Sequence, residues 1–223
     1  MGWEDHAGCS DLRPSGGLTS ECFLIQNWRD AFHQSDLEFL VVQLPNHGAI
    51  PVEPGESAWA ELREAELMTV KQVPRTGLAV TIDVGDPGDL HPPRKREVGE
   101  RLATWALGTV FQEKIEDSGP LYDSMKIEGA LIRVRFTHTG SGLQSRGDSK
   151  LRGFAIAGTD RKFHWAEARI DGDSVVVSSP EVPAPVAVRY AWGDSPECNL
   201  FNIDGLPASP FRSDDWPGIT EHH

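Results

Sequence analysis

Two hydrophobic rhythms run along the chain, and one gives way to the other near Gly119. Before that point, apolar positions recur at helical spacing or run unbroken. Leu24, Ile25, Trp28, Ala31 and Phe32 predict a helix over Phe23 to Phe32 with one apolar face. Leu37 to Leu44 is almost continuously apolar, the pattern of a strand covered on both sides, and Pro45-Asn46-His47-Gly48 breaks it. Ser57 is placed to cap a second helix with Glu61 nearby, striped by Ala58, Leu62, Ala65 and Met68 or Thr69, with Trp59 in the core. Pro74 to Gly77 turns the chain into the strand that starts at Leu78. A Gly/Pro-rich loop follows from Gly85 to Pro93, then a helix from Glu97 to Phe111 that buries Val98, Leu102, Trp105, Ala106 and Val110.

This order is one right-handed βαβ crossover with a flanking helix. The fold class it predicts is α/β, with part of a doubly wound sheet. Two strands do not cover those helices, and a bare edge beside Leu37 to Leu44 invites pairing with another chain. Marginal stability or self-association through that edge is therefore expected.

After Gly119 the period becomes two. Ile132, Val134 and Phe136 alternate with Arg133 and Arg135, so Tyr122 to Ile127 and Leu131 to Phe136 form a half-buried hairpin turning at Glu128-Gly129. Gly140 to Arg152 is a flexible polar loop. Phe154 to Ala157, Phe163 to Ile170, Ser174 to Ser178 and Val186 to Ala191 are further strands, with turns at Gly158-Thr159-Asp160 and Asp171-Gly172. Short strands at this spacing predict an antiparallel β-sandwich. The organisation expected is a poorly ordered leader at 1–22, a partial α/β domain at 23–116, a β-sandwich at 117–212 and a flexible tail at 213–223, with the boundary at 112–119.

Composition narrows the partners. The chain has 34 acidic and 21 basic residues, a formal charge of -13, which argues against nucleic acid and anionic membranes. No apolar run approaches the roughly 20 residues of a membrane helix, and the amino terminus is acidic where a signal peptide is basic. Cys9, Cys22 and Cys198 are too few and too scattered for a disulfide framework or a Cys/His metal site. At most one bridge forms.

The candidate chemistry sits in the loop after the second strand, at a strand's carboxyl end, where open α/β sheets keep their sites. His91 has Asp89 two residues and Asp86 five residues before it, the residue types of a general base and its orienting acid. Turn formation is the alternative role of both aspartates. His47, just beyond the first strand, is a second candidate, with a solvated loop histidine as its alternative. Ser57 reads as a helix cap rather than a nucleophile, and Gly8-Cys9-Ser10 fits no strand-turn-helix context.

From Asn27 to about Arg212 the sequence resembles the carboxyl-terminal part of the sialate O-acetylesterases, carbohydrate esterases of the SGNH-hydrolase class. The match is carried by Asn27-Trp28-Arg29, Val42-Gln43-Leu44-Pro45-Asn46, Trp59-Ala60-Glu61-Leu62-Arg63-Glu64-Ala65, Ala79-Val80-Thr81-Ile82-Asp83-Val84-Gly85-Asp86-Pro87, Leu90-His91-Pro92, Gly153-Phe154-Ala155-Ile156-Ala157-Gly158 and Val188-Arg189-Tyr190-Ala191-Trp192. The resemblance implies an SGNH-type sheet, His91 as catalytic base, and removal of O-acetyl groups from sialic acid or a related sugar with no metal or organic cofactor. The family's acid stands three residues before its histidine; position 88 here is Gly, which leaves Asp89 and Asp86. The family's nucleophile block, of Gly-Gln-Ser-Asn-Met type, and its Trp-Tyr-Gln-Gly-Glu-Ser-Asn block for the oxyanion are absent from the sequence. A truncated gene start and little or no turnover by this chain alone are the corresponding expectations. Related bacterial proteins are commonly periplasmic or secreted.

Trp165, Tyr190, Trp192, Phe201, Phe211 and Trp216 lie in or beside the β region, either as core or as platforms for sugar rings. A non-catalytic carbohydrate-binding or structural β-sandwich module is therefore the alternative function.

Overall fold

The computed structural model describes residues 16–91 and 93–221, so most of the predicted leader, Pro92 and the last two residues of the tail lie outside the described residues. Helix α1 spans Gly16–Phe32, β1 Phe39–Val42, α2 Ala58–Gln72, β2 Thr76–Ala79 and α3 Lys95–Trp105, and one π-helical turn closes α3 at Ala106–Val110. β1 and β2 pair in parallel with Val41 opposite Leu78, and α2 makes the crossover. Ser57 caps α2: its extended backbone (φ -153°, ψ 118°) lets its side chain accept from the Ala60 N–H. Gly77 is required where α3 crosses β2, because a Cβ there would lie 2.1 Å from the Trp105 ring.

Packing differs from the expected stripes on all three helices: on the α3 run Arg101 and Trp105 are buried, whereas Val110 is 41% exposed. In α1, Leu24, Trp28 and Phe32 are 54%, 49% and 56% exposed, while Ile25 and Arg29 are buried. Arg29 turns inward because its guanidinium caps carbonyls: it donates to Leu37 at 2.9 Å and Pro74 at 2.8 Å. In α2, Ala58 is exposed and Leu62 is 38% exposed, while Glu61, Arg63 and Glu66 are buried. Arg63 donates to the carbonyls of Leu44, Pro45, Gly193 and Asp194 at 2.7–2.9 Å. Glu66 accepts from Leu44 N–H at 3.0 Å, and Glu61 from Ile219 N–H at 2.8 Å. These polar side chains are buried where they hydrogen-bond backbone groups of neighbouring loops. Burial lowers the Arg63 guanidinium to about 10 and pushes the Glu66 carboxyl up to about 8.

The second half is antiparallel. β3 (Leu121–Glu128), β4 (Leu131–Thr137), β8 (Glu167–Asp171) and β9 (Ser174–Ser178) form a sheet in the order β3-β4-β9-β8. β6 (Phe154–Ala157), β7 (Phe163–Trp165), β10 (Ala187–Tyr190) and β12 (Phe211–Arg212) form a second in the order β12-β10-β6-β7, and β5 (Leu143–Ser145) pairs with β11 (Leu200–Asn202). The hairpin follows the alternation, with Ile132, Val134 and Phe136 buried and Gly129 at φ +68°. The stretch expected as one strand over Phe163 to Ile170 is two: β7 pairs with β6, the chain changes sheet at Ala166, and β8 pairs with β9. The expected loop from Gly140 holds β5, and Leu143 and Leu151 are buried.

One core spans both halves. Val80 and Ile82, just past β2, join Ile132, Ile156, Val175, Val188 and Leu200. Polar contacts also cross the expected boundary, including Ser57 Oγ to Asp194 at 2.6 Å and Arg189 to Glu56 at 2.9 Å. Residues 213–221, expected as part of a tail, run against this body: the Asp214 side chain is 1% exposed and ion-paired with Arg189 at 2.9 Å. Cys22 is disulfide-bonded and Cys198 is free. The architecture is thus a mixed α/β fold with several antiparallel sheets.

Candidate functional site

Because β1 and β2 are parallel, the loops that follow them leave the same edge of the sheet and meet. Gly85 is the point of contact: a Cβ there would lie 2.2 Å from the backbone nitrogen of Asn46. Gly48 N–H donates to Pro87 O at 3.0 Å, and the Thr81 hydroxyl donates to Gln43 O. α3 holds the second loop from beneath. Arg101 donates to both carboxylate oxygens of Asp83, at 2.6 and 2.7 Å, and to Val80 O at 2.6 Å, while Arg94 donates to Asp83 O at 3.0 Å. Such a two-pronged pair fixes orientation as well as charge.

The three residues singled out from sequence lie together on this loop. Asp86 Oδ1 accepts from Gly88 N–H at 2.8 Å and Asp89 Oδ1 accepts from His91 N–H at 2.8 Å, so each carboxylate shapes the loop backbone. Asp89 N–H donates to Asp86 O at 3.2 Å, which closes the turn. His91 itself is exposed, and among the described residues its ring has no hydrogen-bond partner. The loop therefore presents an imidazole to solvent, with each aspartate using one oxygen on the backbone.

Beside the loop is a cleft of about 440 Å³ between the two halves. Asp83 and Pro87 line it from the β2 loop, Asn46 from the β1 loop, and Arg146, Arg152 and Cys198 from the antiparallel half. Asn46 was not singled out from sequence as a site residue. Its Nδ2 donates to Pro196 O at 3.3 Å, yet its Oδ1 is buried with no partner among the described residues, and so is Nδ1 of His47. An unpaired buried acceptor costs on the order of 1–3 kcal/mol and calls for an explanation, of which a ligand is one. Arg146 stands over the Phe201 ring at 4.6 Å with its Nη1 3.7 Å from Asp83, and Arg152 pairs with Asp148 at 2.8 Å. The Cys198 thiol is pushed up to about 12 by burial, so it stays protonated and is not a nucleophile.

Elsewhere, Glu116 and Asp117 before β3 and His138 after β4 have donor atoms within 4.8 Å of one another, an arrangement able to hold a metal ion.

No protein-family model and no curated relative matches the sequence. Among solved structures, the crystal structure of a carbohydrate acetylesterase from Xanthomonas citri is similar, at 42% sequence identity and a TM-score of 0.85. The match covers 94% of this chain and 48% of that one, so the chain spans about half the length of this neighbour.

Proposed function

We propose that this chain carries the histidine-bearing part of an SGNH-type carbohydrate esterase, a sialate O-acetylesterase-like carboxylic ester hydrolase that removes O-acetyl groups from sialic acid or a related sugar. The observation that carries the reading is an exposed, unpartnered His91 on the loop leaving β2, a loop whose Asp83 and Pro87 line a cleft of about 440 Å³ that His91 itself does not line. Similarity to a carbohydrate acetylesterase over 94% of the chain supports it.

In this reading His91 is the base that takes the proton of a serine hydroxyl as that oxygen attacks the acetyl carbonyl, and then returns it to the departing sugar oxygen. Asp89 or Asp86 orients the ring with the carboxylate oxygen that the loop backbone does not use. Both arginines in the cleft already face carboxylates, Asp83 and Asp148, which favours an uncharged acetylated sugar over sialic acid. The serine belongs to a block of the type the sequence lacks, so full turnover needs a polypeptide that carries it.

The test is p-nitrophenyl acetate hydrolysis by the chain joined to the half of the Xanthomonas citri protein that lies outside the match, and by its His91→Ala variant, with a fluorophosphonate label for any acylated serine. A rate above buffer that falls by about 10³-fold or more in the variant supports the reading. Equal rates in the two proteins overturn His91 as the base. A rate at buffer level in the unaltered fusion favours the second reading, a non-catalytic carbohydrate-binding module, for which the exposed Trp165 speaks.

A further inference from the structure

The cleft at the β2 loop is one end of a longer depression. A second hollow of about 360 Å³ shares Ile50, Arg152 and Glu197 with it, and a third of about 660 Å³ shares Trp165 with the second. Together they trace a path from Asp83 and Pro87 along the side of β7, the edge strand of its sheet.

Trp165 stands where the second and third hollows meet. Tyr190, Trp192, Phe201 and Phe211 are 1–5% exposed and belong to the core, whereas Trp165 is 40% exposed. Its Nε1 donates to the carbonyl of Val52 at 2.9 Å, which uses its one polar atom and fixes the ring in the wall of the path. A held indole with a bare surface in a groove is a platform for the apolar C–H face of a sugar ring.

The charges along the path identify the ligand's chemistry. The second hollow has Lys150 and Arg152 against Glu197. The third has Arg161 and Lys162 against Glu53, Glu56 and Glu181, and His164 bonds Glu181 at 2.8 Å. With Arg146, Asp83 and Asp148 of the first hollow, five cations thus face six carboxylates, in a chain of net charge -13. A path with nearly balanced charge holds neither a polyanion nor a polycation, but it offers many hydrogen-bond donors and acceptors to hydroxyl groups.

We infer that this path binds successive units of an uncharged oligosaccharide, with Trp165 stacking on a unit remote from the one at the β2 loop. The position of the acetylated unit rests on the esterase reading. The path itself does not.

The test is isothermal titration calorimetry of the full chain with xylo-, manno- and cello-oligosaccharides of two and six units. At least one hexasaccharide is expected to bind ten-fold or more tightly than its disaccharide. Trp165→Ala should remove that gain, Trp165→Phe should restore most of it, and Trp28→Ala, which alters an exposed indole on α1, should leave it intact. No gain with length in any of the three series overturns the inference, as does a gain that survives Trp165→Ala. His91→Ala separates the two claims. Length-dependent, Trp165-dependent binding without His91-dependent hydrolysis by the chain joined to the unmatched half of the Xanthomonas citri protein overturns only the esterase reading, and His91-dependent hydrolysis by that fusion with Trp165-independent binding overturns only the path.

Discussion

Arg101 holds Asp83 by both carboxylate oxygens, at 2.6 and 2.7 Å, with the two side chains 9% and 11% exposed. This pair ties α3 to the loop that carries His91. Removing one partner of a buried pair leaves the other charge uncompensated, at a cost of roughly 3–5 kcal/mol. Arg101→Met is therefore expected to lower stability by about 3 kcal/mol in urea unfolding, because Asp83 keeps only Arg146 at 3.7 Å.

Glu66 makes stability depend on pH. Burial raises its carboxyl from 4.5 to about 8, so between those values the folded chain holds a proton that the unfolded chain has released. Stability falls as pH rises through that window and is level on either side. Glu66→Gln keeps a carbonyl acceptor for Leu44 N–H and has no charge to bury. It should match the unaltered chain near pH 4 and exceed it by about 5 kcal/mol at pH 9. Thermal melts at the two pH values check the sign.

Gly85 keeps the β1 and β2 loops in contact. A methyl at that position meets the Asn46 backbone at 2.2 Å, while one at Gly55 meets nothing within 4 Å. Gly85→Ala is expected to cost about 1–3 kcal/mol and Gly55→Ala far less, with any ester hydrolysis falling only in the first. Paired unfolding curves and rates decide it.

β1 pairs only with β2 among the described strands and its Val42 is 41% exposed, while α1 exposes Leu24, Trp28 and Phe32 at 49–56%. An unpaired strand flanked by apolar side chains pairs readily with another chain. Sedimentation velocity should show a concentration-dependent dimer that Trp28→Glu with Phe32→Glu shifts toward monomer. A monomer at every concentration contradicts this.

Much of the fold was legible because local pattern and burial agree. β4 follows its alternation residue by residue, although β3 opposite it is irregular between Tyr122 and Ser124, and Ser57 caps α2 as its position predicts. The reading failed where buried groups are polar. The inward face of α2 carries Glu61, Arg63 and Glu66, and these are paired with carbonyls and amides of residues 44–45, 193–194 and 219–220, contacts that periodicity does not encode. Trp28 and Phe32 match a helical stripe, yet Ile25 and Arg29 face inward because Arg29 caps two distant carbonyls. At the site, the loop and its strand end were visible in the sequence. Asn46, Arg101 and Arg146 were not, since their significance arises from contacts with chain far away in sequence.

The most direct measurement of the central claim follows acetate release by proton NMR from a partially O-acetylated oligosaccharide. The enzyme is the full chain joined to the half of the Xanthomonas citri protein that lies outside the match. The account predicts release that His91→Ala reduces by about 10³-fold, with His47→Ala close to the unaltered rate. Release that persists undiminished in His91→Ala would contradict it.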